Sequence, residues 1–287
     1  MEKLQYYQFK AVGYQNEIGF ELLEMEDIFS LHPSEKKDPF KPHRINFFAV
    51  LLLAEGEMTH QVDFVDYRMM SGDCLFISKG QIHKFDPSGT YKGYGLIFTE
   101  KFMLHHISPS AYSKISFLYN HYSNPSPFKD AGDRDLIVGS LKKELSSDLG
   151  KIKADVVAAL LTVLLLKAQL NPSNSLAYNE KSYPQFIKFQ NLVALKFMHT
   201  RTVGHYAALL DMTHKQLNKL CTCFTGKTAK DYISNYIALE AKRQLATTNV
   251  QVKQIAFACG YKEVTNFLKF FKKMTGSTPM EFRQKVN

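Results

Sequence analysis

Two short stretches in the last third of this 287-residue chain carry polar side chains at a spacing suited to reading a polyanion. In the first, Leu217, Leu220, Cys221 and Phe224 recur at i, i+3, i+4 and i+7, one apolar stripe of a helix that turns about 100° per residue. Lys215, Asn218, Lys219 and Thr222 fall on the opposite side. Ammonium, amide and hydroxyl groups on one helix face are the partners that base edges and phosphates accept. Ahead of this helix, Val203, Tyr206, Ala207 and Leu210 repeat the same period in a shorter one that Thr202 can cap. Asp211-Met212 breaks that helix and Thr213 can cap the next. A short helix, a tight turn and a two-faced helix make a helix-turn-helix. A generic amphipathic pair whose polar face merely meets water has the same local pattern.

The unit recurs fifty residues on, which favours the helix-turn-helix reading. Phe224-Thr225-Gly226-Lys227-Thr228 aligns with Met274-Thr275-Gly276-Ser277-Thr278, and Tyr232 aligns with Phe282. The apolar stripe becomes Phe267, Phe270, Phe271 and Met274, and the polar one Thr265, Lys269 and Lys272. Val252, Ile255, Ala256 and Cys259 supply the leading helix, and Gly260 the turn. Thr228 to Thr247 reads as one long helix, a rigid spacer of about 25 to 30 Å. That approaches the roughly 34 Å rise of one DNA turn, so two recognition helices can enter successive major grooves. The charge agrees: from Pro184 onward there are 16 Lys and Arg against 5 Asp and Glu, leaving 20 against 22 for residues 1–183, so the net +9 sits in one segment.

Ile255-Ala256-Phe257-Ala258-Cys259-Gly260-Tyr261, then Asn266-Phe267-Leu268-Lys269-Phe270-Phe271-Lys272-Lys273, then Gly276-Ser277-Thr278-Pro279-Met280-Glu281-Phe282-Arg283 resemble the signature of the AraC/XylS family of bacterial transcription regulators. The resemblance implies base contacts from His214, Lys215, Asn218 and Lys219 on the first recognition helix and from Val264, Thr265, Leu268 and Lys269 on the second. Thr222 and Lys272 then meet phosphates. It also implies operator DNA as partner, a homodimer, and RNA polymerase as a further candidate partner. Two departures stand out. Cys221 replaces the usual Phe and Thr222 the usual Lys, so the first helix holds the backbone less firmly. Leu268 lies where a small polar residue is common, and can meet a thymine methyl.

From Arg44 to about Thr99 the pattern changes to short apolar runs separated by turn residues. Ile45 to Ala54 reads as a strand closed by Glu55-Gly56-Glu57, Met58 to Tyr67 as a second, and Cys74 to Ser78 and Tyr91 to Phe98 as two more. Gly72-Asp73-Cys74-Leu75-Phe76-Ile77-Ser78-Lys79-Gly80-Gln81-Ile82-His83 resembles the second motif of the cupins, with Ser78 in the place of a proline. That resemblance puts the His83 ring inside a small barrel. His83, with His43, Phe48 and Tyr67, is the candidate ligand-binding set. His83 alone can equally be a hydrogen-bonded barrel histidine. The His-x-His of metal-binding cupins is missing, since His43 is followed by Arg44-Ile45 and His60 stands alone, so no metal, cofactor or catalytic residue is expected.

Residues 133–170 read as two helices, the second from about Ile152 to Leu170 and apolar nearly all round. It is either a core helix or packs against a second copy. Asn171-Pro172-Ser173-Asn174-Ser175 opens an aperiodic linker. With 45% hydrophobic and 22% charged residues, disordered and fibrous classes are excluded. Four cysteines without paired zinc spacing fit a reducing cytoplasm, and the N-terminus lacks a secretory core, so neither export nor a membrane is expected. The resulting expectation is a multidomain chain: an all-β cupin-like sensor barrel with following helices (1–125), a helical dimerisation segment (126–170), a linker (171–183) and an all-α double helix-turn-helix domain (184–287). Its function is a sequence-specific, non-enzymatic DNA-binding regulator answering a small-molecule effector. The alternatives are a cupin-type enzyme with a DNA-binding tail, and a regulator whose barrel only dimerises.

Overall fold

The computed structural model describes residues 6–7, 18–30, 38–88, 91–115, 127–129, 133–148, 150–168 and 182–286. They fall into two compact units, one within Tyr6–Ser175 and the other within Leu176–Asn287.

The first unit contains β1 (Tyr6–Tyr7), β2 (Phe20–Glu24), α1 (Met25–Ser30), β3 (His43–Ile45), β4 (Phe48–Val62), β5 (Val65–Met70), β6 (Asp73–Ile77), β7 (Ile82–Lys84), β8 (Tyr91–Phe98), α2 (Glu100–His106), α3 (Pro109–Ile115), β9 (Phe128–Lys129), α4 (Arg134–Ser146) and α5 (Lys153–Lys167). Strand β4 organises the sheet by serving two groups of partners. Its first half pairs with β6 and β8, and β2 lies beyond β8. Its second half pairs with β5 and β7, and β3 lies beyond β7.

Two sequence expectations change here. Glu55-Gly56-Glu57 does not close a strand: β4 runs through it, with a register shift between Leu53 and Glu55 and a left-handed Gly56 (φ 84°). This is a β-bulge, which bends a strand between two sets of partners without ending it. The turn comes at Asp63-Phe64, both at positive φ (48° and 69°), so the expected strand Met58–Tyr67 is the arms of a hairpin. No glycine marks that turn. The Asp63 carboxylate holds it, accepting from Gln81 Nε2 at 2.9 Å and from the Ile82 N–H at 3.2 Å.

Alternate residues of the sheet build two cores. Phe48, Val50, Leu52, Phe76, Leu96 and Phe98 face the helices α2 to α5. Ala49, Leu51, Leu75, Ile77 and Ile97 face the barrel interior with Met58, Val62 and Phe85. With both faces covered, β4 begins as an unbroken apolar run. The nearly all-apolar α5 is explained the same way: Val157, Leu161, Leu164 and Leu165 are buried against the sheet and its neighbouring helices. The 126–170 helices therefore share the first unit's core, and only an outer stripe stays open, with Val163 45%, Ile152 57% and Leu136 72% exposed.

The second unit is α6 (Tyr183–Lys196), α7 (Val203–Leu209), α8 (His214–Thr225), α9 (Ala229–Thr247), α10 (Val252–Ala258), α11 (Val264–Thr275) and α12 (Pro279–Val286). Helix α6 was not anticipated, although Tyr183, Phe186, Phe189, Val193 and Phe197 carry a readable helical period and are all buried. Of the expected linker 171–183, all but Ser182 and Tyr183 lie outside the described residues.

Candidate DNA-binding surface and barrel interior

In the first helix-turn-helix, Tyr206 and Ala207 of α7 and Leu217, Leu220, Cys221 and Phe224 of α8 are buried, as their spacing requires. Asp211 makes the turn in the left-handed region (φ 54°), and the Met212 N–H donates to Ala207 O at 2.9 Å. Thr213 caps α8 reciprocally: its hydroxyl accepts from the Gln216 N–H at 3.2 Å, and Gln216 Oε1 accepts from the Thr213 N–H at 2.8 Å. Thr202 stands at the N-cap of α7 but makes no side-chain cap bond, its hydroxyl lying 3.2 Å from that of Thr200. Lys215, Lys219 and Thr222 are exposed on one face, with His214 exposed at the helix start. Asn218 is half-buried, and its Oδ1 accepts from the Ala229 N–H at 2.9 Å, fastening α8 to the first turn of α9.

The second helix-turn-helix repeats this frame with different chemistry. Tyr261 N–H donates to Ala256 O at 3.0 Å across a left-handed Gly260 (φ 77°). Here the glycine is obligatory, because a Cβ would lie 2.4 Å from Met198 O. Phe267 and Phe271 of α11 are fully buried, whereas Phe270 and Met274 of the expected stripe are only half-buried, Phe270 resting on Tyr261 at 5.3 Å between ring centroids. Thr265, Leu268, Lys269 and Lys272 are exposed and Val264 is half-buried. Leu268 occupies the place of Asn218, and Pro279 that of Ala229. Proline has no N–H, so the second helix-turn-helix needs no acceptor where the first has Asn218. Spacer α9 spans 19 residues, about 28 Å, and encloses a buried Arg243–Glu240 pair at 2.5 Å.

The barrel interior joins residues that lie far apart in sequence. Cross-strand pairing sets His43 opposite His83 and His60 opposite Tyr67. His60 Nε2 lies 3.1 Å from His83 Nδ1, and the His43 and His83 ring centroids are 4.2 Å apart. His60, read as standing alone, is thus a member of the site. Phe48, assigned to it, is not: it points to the helix side and stacks on Phe76 and Phe98. One residue's difference in strand position puts a side chain on the opposite face. His60, His83 and Tyr67 are uncharged near neutrality. Burial, with His43 adding a smaller effect, lowers His60 to about 3, and His83 is held well below its ordinary value by burial and then by His43 and His60. Burial, and then Asp63, raises the Tyr67 phenol to about 12. Glu21, on β2 beside Ile97, is buried with no partner for either carboxyl oxygen, and burial raises it to about 7. Beyond the His60–His83 contact, His43 Nδ1 donates to Lys41 O at 2.9 Å and His60 Nδ1 is buried without a hydrogen-bond partner, and among the described residues no group of His, Cys, Asp or Glu is placed to hold a metal ion. Ser78, the departure from the cupin pattern, donates its N–H to Gln81 Oε1 at 2.7 Å, a bond proline could not make.

Comparison with known proteins covers both units. Residues 28–121 match the model of an AraC-like ligand binding domain, and residues 206–285 match a helix-turn-helix domain. The chain is 22% identical to the HTH-type transcriptional activator RhaS of Pectobacterium carotovorum over 284 residues, covering 92% of this chain and 98% of the relative. It is 32% identical to the uncharacterized HTH-type transcriptional regulator YtdP of Bacillus subtilis over 94 residues, 33% of this chain and 12% of that one. Among solved structures, ToxT from Vibrio cholerae aligns over 93% of this chain and 98% of its own at 15% identity, with a TM-score of 0.48. With a ligand-domain match over the barrel, a helix-turn-helix match over the duplicated units and a full-length regulator as relative, the chain belongs to the AraC/XylS family of DNA-binding transcription regulators.

Proposed function

We propose that this chain is an effector-responsive, homodimeric transcription regulator that reads its operator with α8 and α11. One observation carries the reading: two copies of one helix-turn-helix frame expose Lys215 and Lys219 on one helix and Lys269 and Lys272 on the other, separated by the rigid α9. In this reading His214, Lys215, Lys219, Val264, Thr265, Leu268 and Lys269 face base edges, Thr222 and Lys272 meet phosphates, and Asn218 divides its amide between the operator and the Ala229 N–H. Residues 184–287 form the DNA-binding domain, 171–183 the linker, and 1–125 with 126–170 the sensor and its dimerising helices. His43, His60, Tyr67 and His83 line the effector site. The regulator works in the cytoplasm and contacts RNA polymerase. The names of the relatives, transcriptional activators and regulators, support a regulator over a cupin enzyme. No helix among the described residues is long and apolar enough to cross a membrane.

The test is selection of duplexes from a random pool by the full chain. A recovered site with two reading blocks about one helical turn apart supports the reading, and recovery of unselected sequence overturns it. For the dimer, Leu164 is unsuitable because it is buried in the unit's own core, so Val163→Glu with Leu136→Glu is the informative variant. A halved mass in sedimentation equilibrium is expected, and an unchanged mass argues against that face.

A further inference from the structure

We propose a second ligand site in the first unit, separate from the barrel interior, that takes a small organic anion in the groove between α2 and the start of α5. The groove has a volume of about 650 Å3. Its floor is apolar, formed by Ile18, Phe102 and Ala154, and its rim carries Lys101, His105, His106 and Lys151. Phe102 and Ala154 belong to the core on the helix side of the sheet, so the groove does not communicate through them with the histidine cluster inside the barrel.

The rim is arranged for negative charge. Among the described residues neither Lys101 nor Lys151 has an ion-pair partner. The acidic residue of α5's first turn, Asp155, is already engaged by His106 Nδ1 at 2.8 Å. His105 Nδ1 donates to Lys101 O at 2.8 Å, which orients that ring and leaves Nε2 as its remaining polar atom. Helix α5 has no side-chain cap at Ile152, so its positive end adds to the same field. A bare inorganic ion would satisfy the rim and leave the floor against water, whereas a neutral apolar molecule would cover the floor and leave two ammonium groups unpaired. A carboxylate or phosphate head on a short apolar body satisfies both. Because α5 also packs on the sheet through Val157 and Leu161, an occupant bridging α2 and α5 stiffens that helix against the barrel.

The test is calorimetric titration of the full chain at fixed ionic strength with hexanoate, hexan-1-ol and inorganic phosphate. Hexanoate is expected to bind saturably, with the other two at least about tenfold weaker. The pair Lys101→Gln and Lys151→Gln is expected to weaken hexanoate about tenfold or more, and Lys230→Gln, in the other unit, to leave it unchanged. Since the double variant can lose stability, protection of the wild-type Lys101 and Lys151 amines from acetylation by saturating hexanoate gives an independent reading. Absence of saturable hexanoate binding, equal binding of hexan-1-ol or of phosphate, an unaltered double variant, or no protection of either amine would each overturn the proposal.

Discussion

The chain concentrates polar chemistry in two places, and burial gives them opposite characters. On α8 and α11 the lysines stand in water, whereas in the barrel His43, His60, His83, Tyr67 and Glu21 are withdrawn from it. Desolvation disfavours the charged form, so His60, His83 and Tyr67 are neutral near pH 7, and the His60 and His83 rings meet through a neutral hydrogen bond. The DNA surface should then answer chiefly to salt, and the barrel chiefly to pH. A measurement in which both units answered alike would break the contrast.

The largest expected effect is on the exposed side. With several ammonium groups available to phosphates, affinity for a DNA duplex should fall about 1,000-fold or more between 50 and 200 mM salt, linearly on logarithmic axes. Fluorescence anisotropy on a labelled duplex measures it. Within that response, Lys272→Ala should lower the slope by about one unit for all sequences, while Lys219→Ala should cost about 1 to 3 kcal/mol and relax preference at one or two base pairs. Identical slopes and preferences in the two variants would remove the division between phosphate and base contacts.

On the buried side the first expectation concerns acid. His60 moves from an ordinary 6.5 to about 3 on folding, so the unfolded chain binds the proton more readily. The stabilisation is complete above pH 6.5 and is lost as pH falls towards 3, on the order of 4 kcal/mol in all, with His83 adding in the same direction. Urea unfolding followed by tyrosine fluorescence at pH 7.5 and 5 reads it, and His60→Phe should flatten the dependence. Glu21 has the opposite sign. Its value rises from 4.5 to about 7, so its contribution is favourable below 4.5 and is lost as pH rises through 7. Glu21→Gln should therefore stabilise the unit by about 1 to 3 kcal/mol at pH 8 and change little at pH 4.5. A stabilisation independent of pH would mean that the carboxyl finds a partner.

The two regions also differed in how far the sequence revealed them. A recognition helix makes its two faces within a dozen residues, so the positions of Leu217, Leu220, Cys221 and Phe224 alone separate buried from exposed. The fifty-residue repeat doubled that signal. The barrel site is made between strands, and His60 meets His83 only because β4 continues through its bulge to pair with β7. Nothing near Glu55-Gly56-Glu57 distinguishes a bulge from a turn, and a hairpin turned by Asp63-Phe64 lacks the usual glycine. Assigning Phe48 to the site failed for a related reason. A strand apolar on both faces carries no alternation from which to tell inside from outside. The short strand β2, bearing Glu21, gave no signal of its own.

The smallest expected effect returns to the DNA surface, where it separates what the two recognition helices do for the fold. Asn218 Oδ1 accepts the first N–H of α9, and Thr228 caps that helix by accepting from Asp231 N. In the second helix-turn-helix Thr278 caps α12 in the same way through Glu281 N, but Pro279 has no N–H to satisfy and Leu268 stands where Asn218 would. Asn218→Ala should therefore leave a partly buried donor without its acceptor and cost about 1 kcal/mol in thermal or urea unfolding of the second unit. Leu268→Asn, which restores the amide where no donor waits, should change stability by about 0.5 kcal/mol or less. Its effect is reserved for DNA, as altered base preference at one position with the salt slope unchanged. Should Leu268→Asn stabilise the unit as much as Asn218→Ala weakens it, the amide would be supporting α11 through another donor, and the missing N–H of Pro279 would not be the reason the two helices differ.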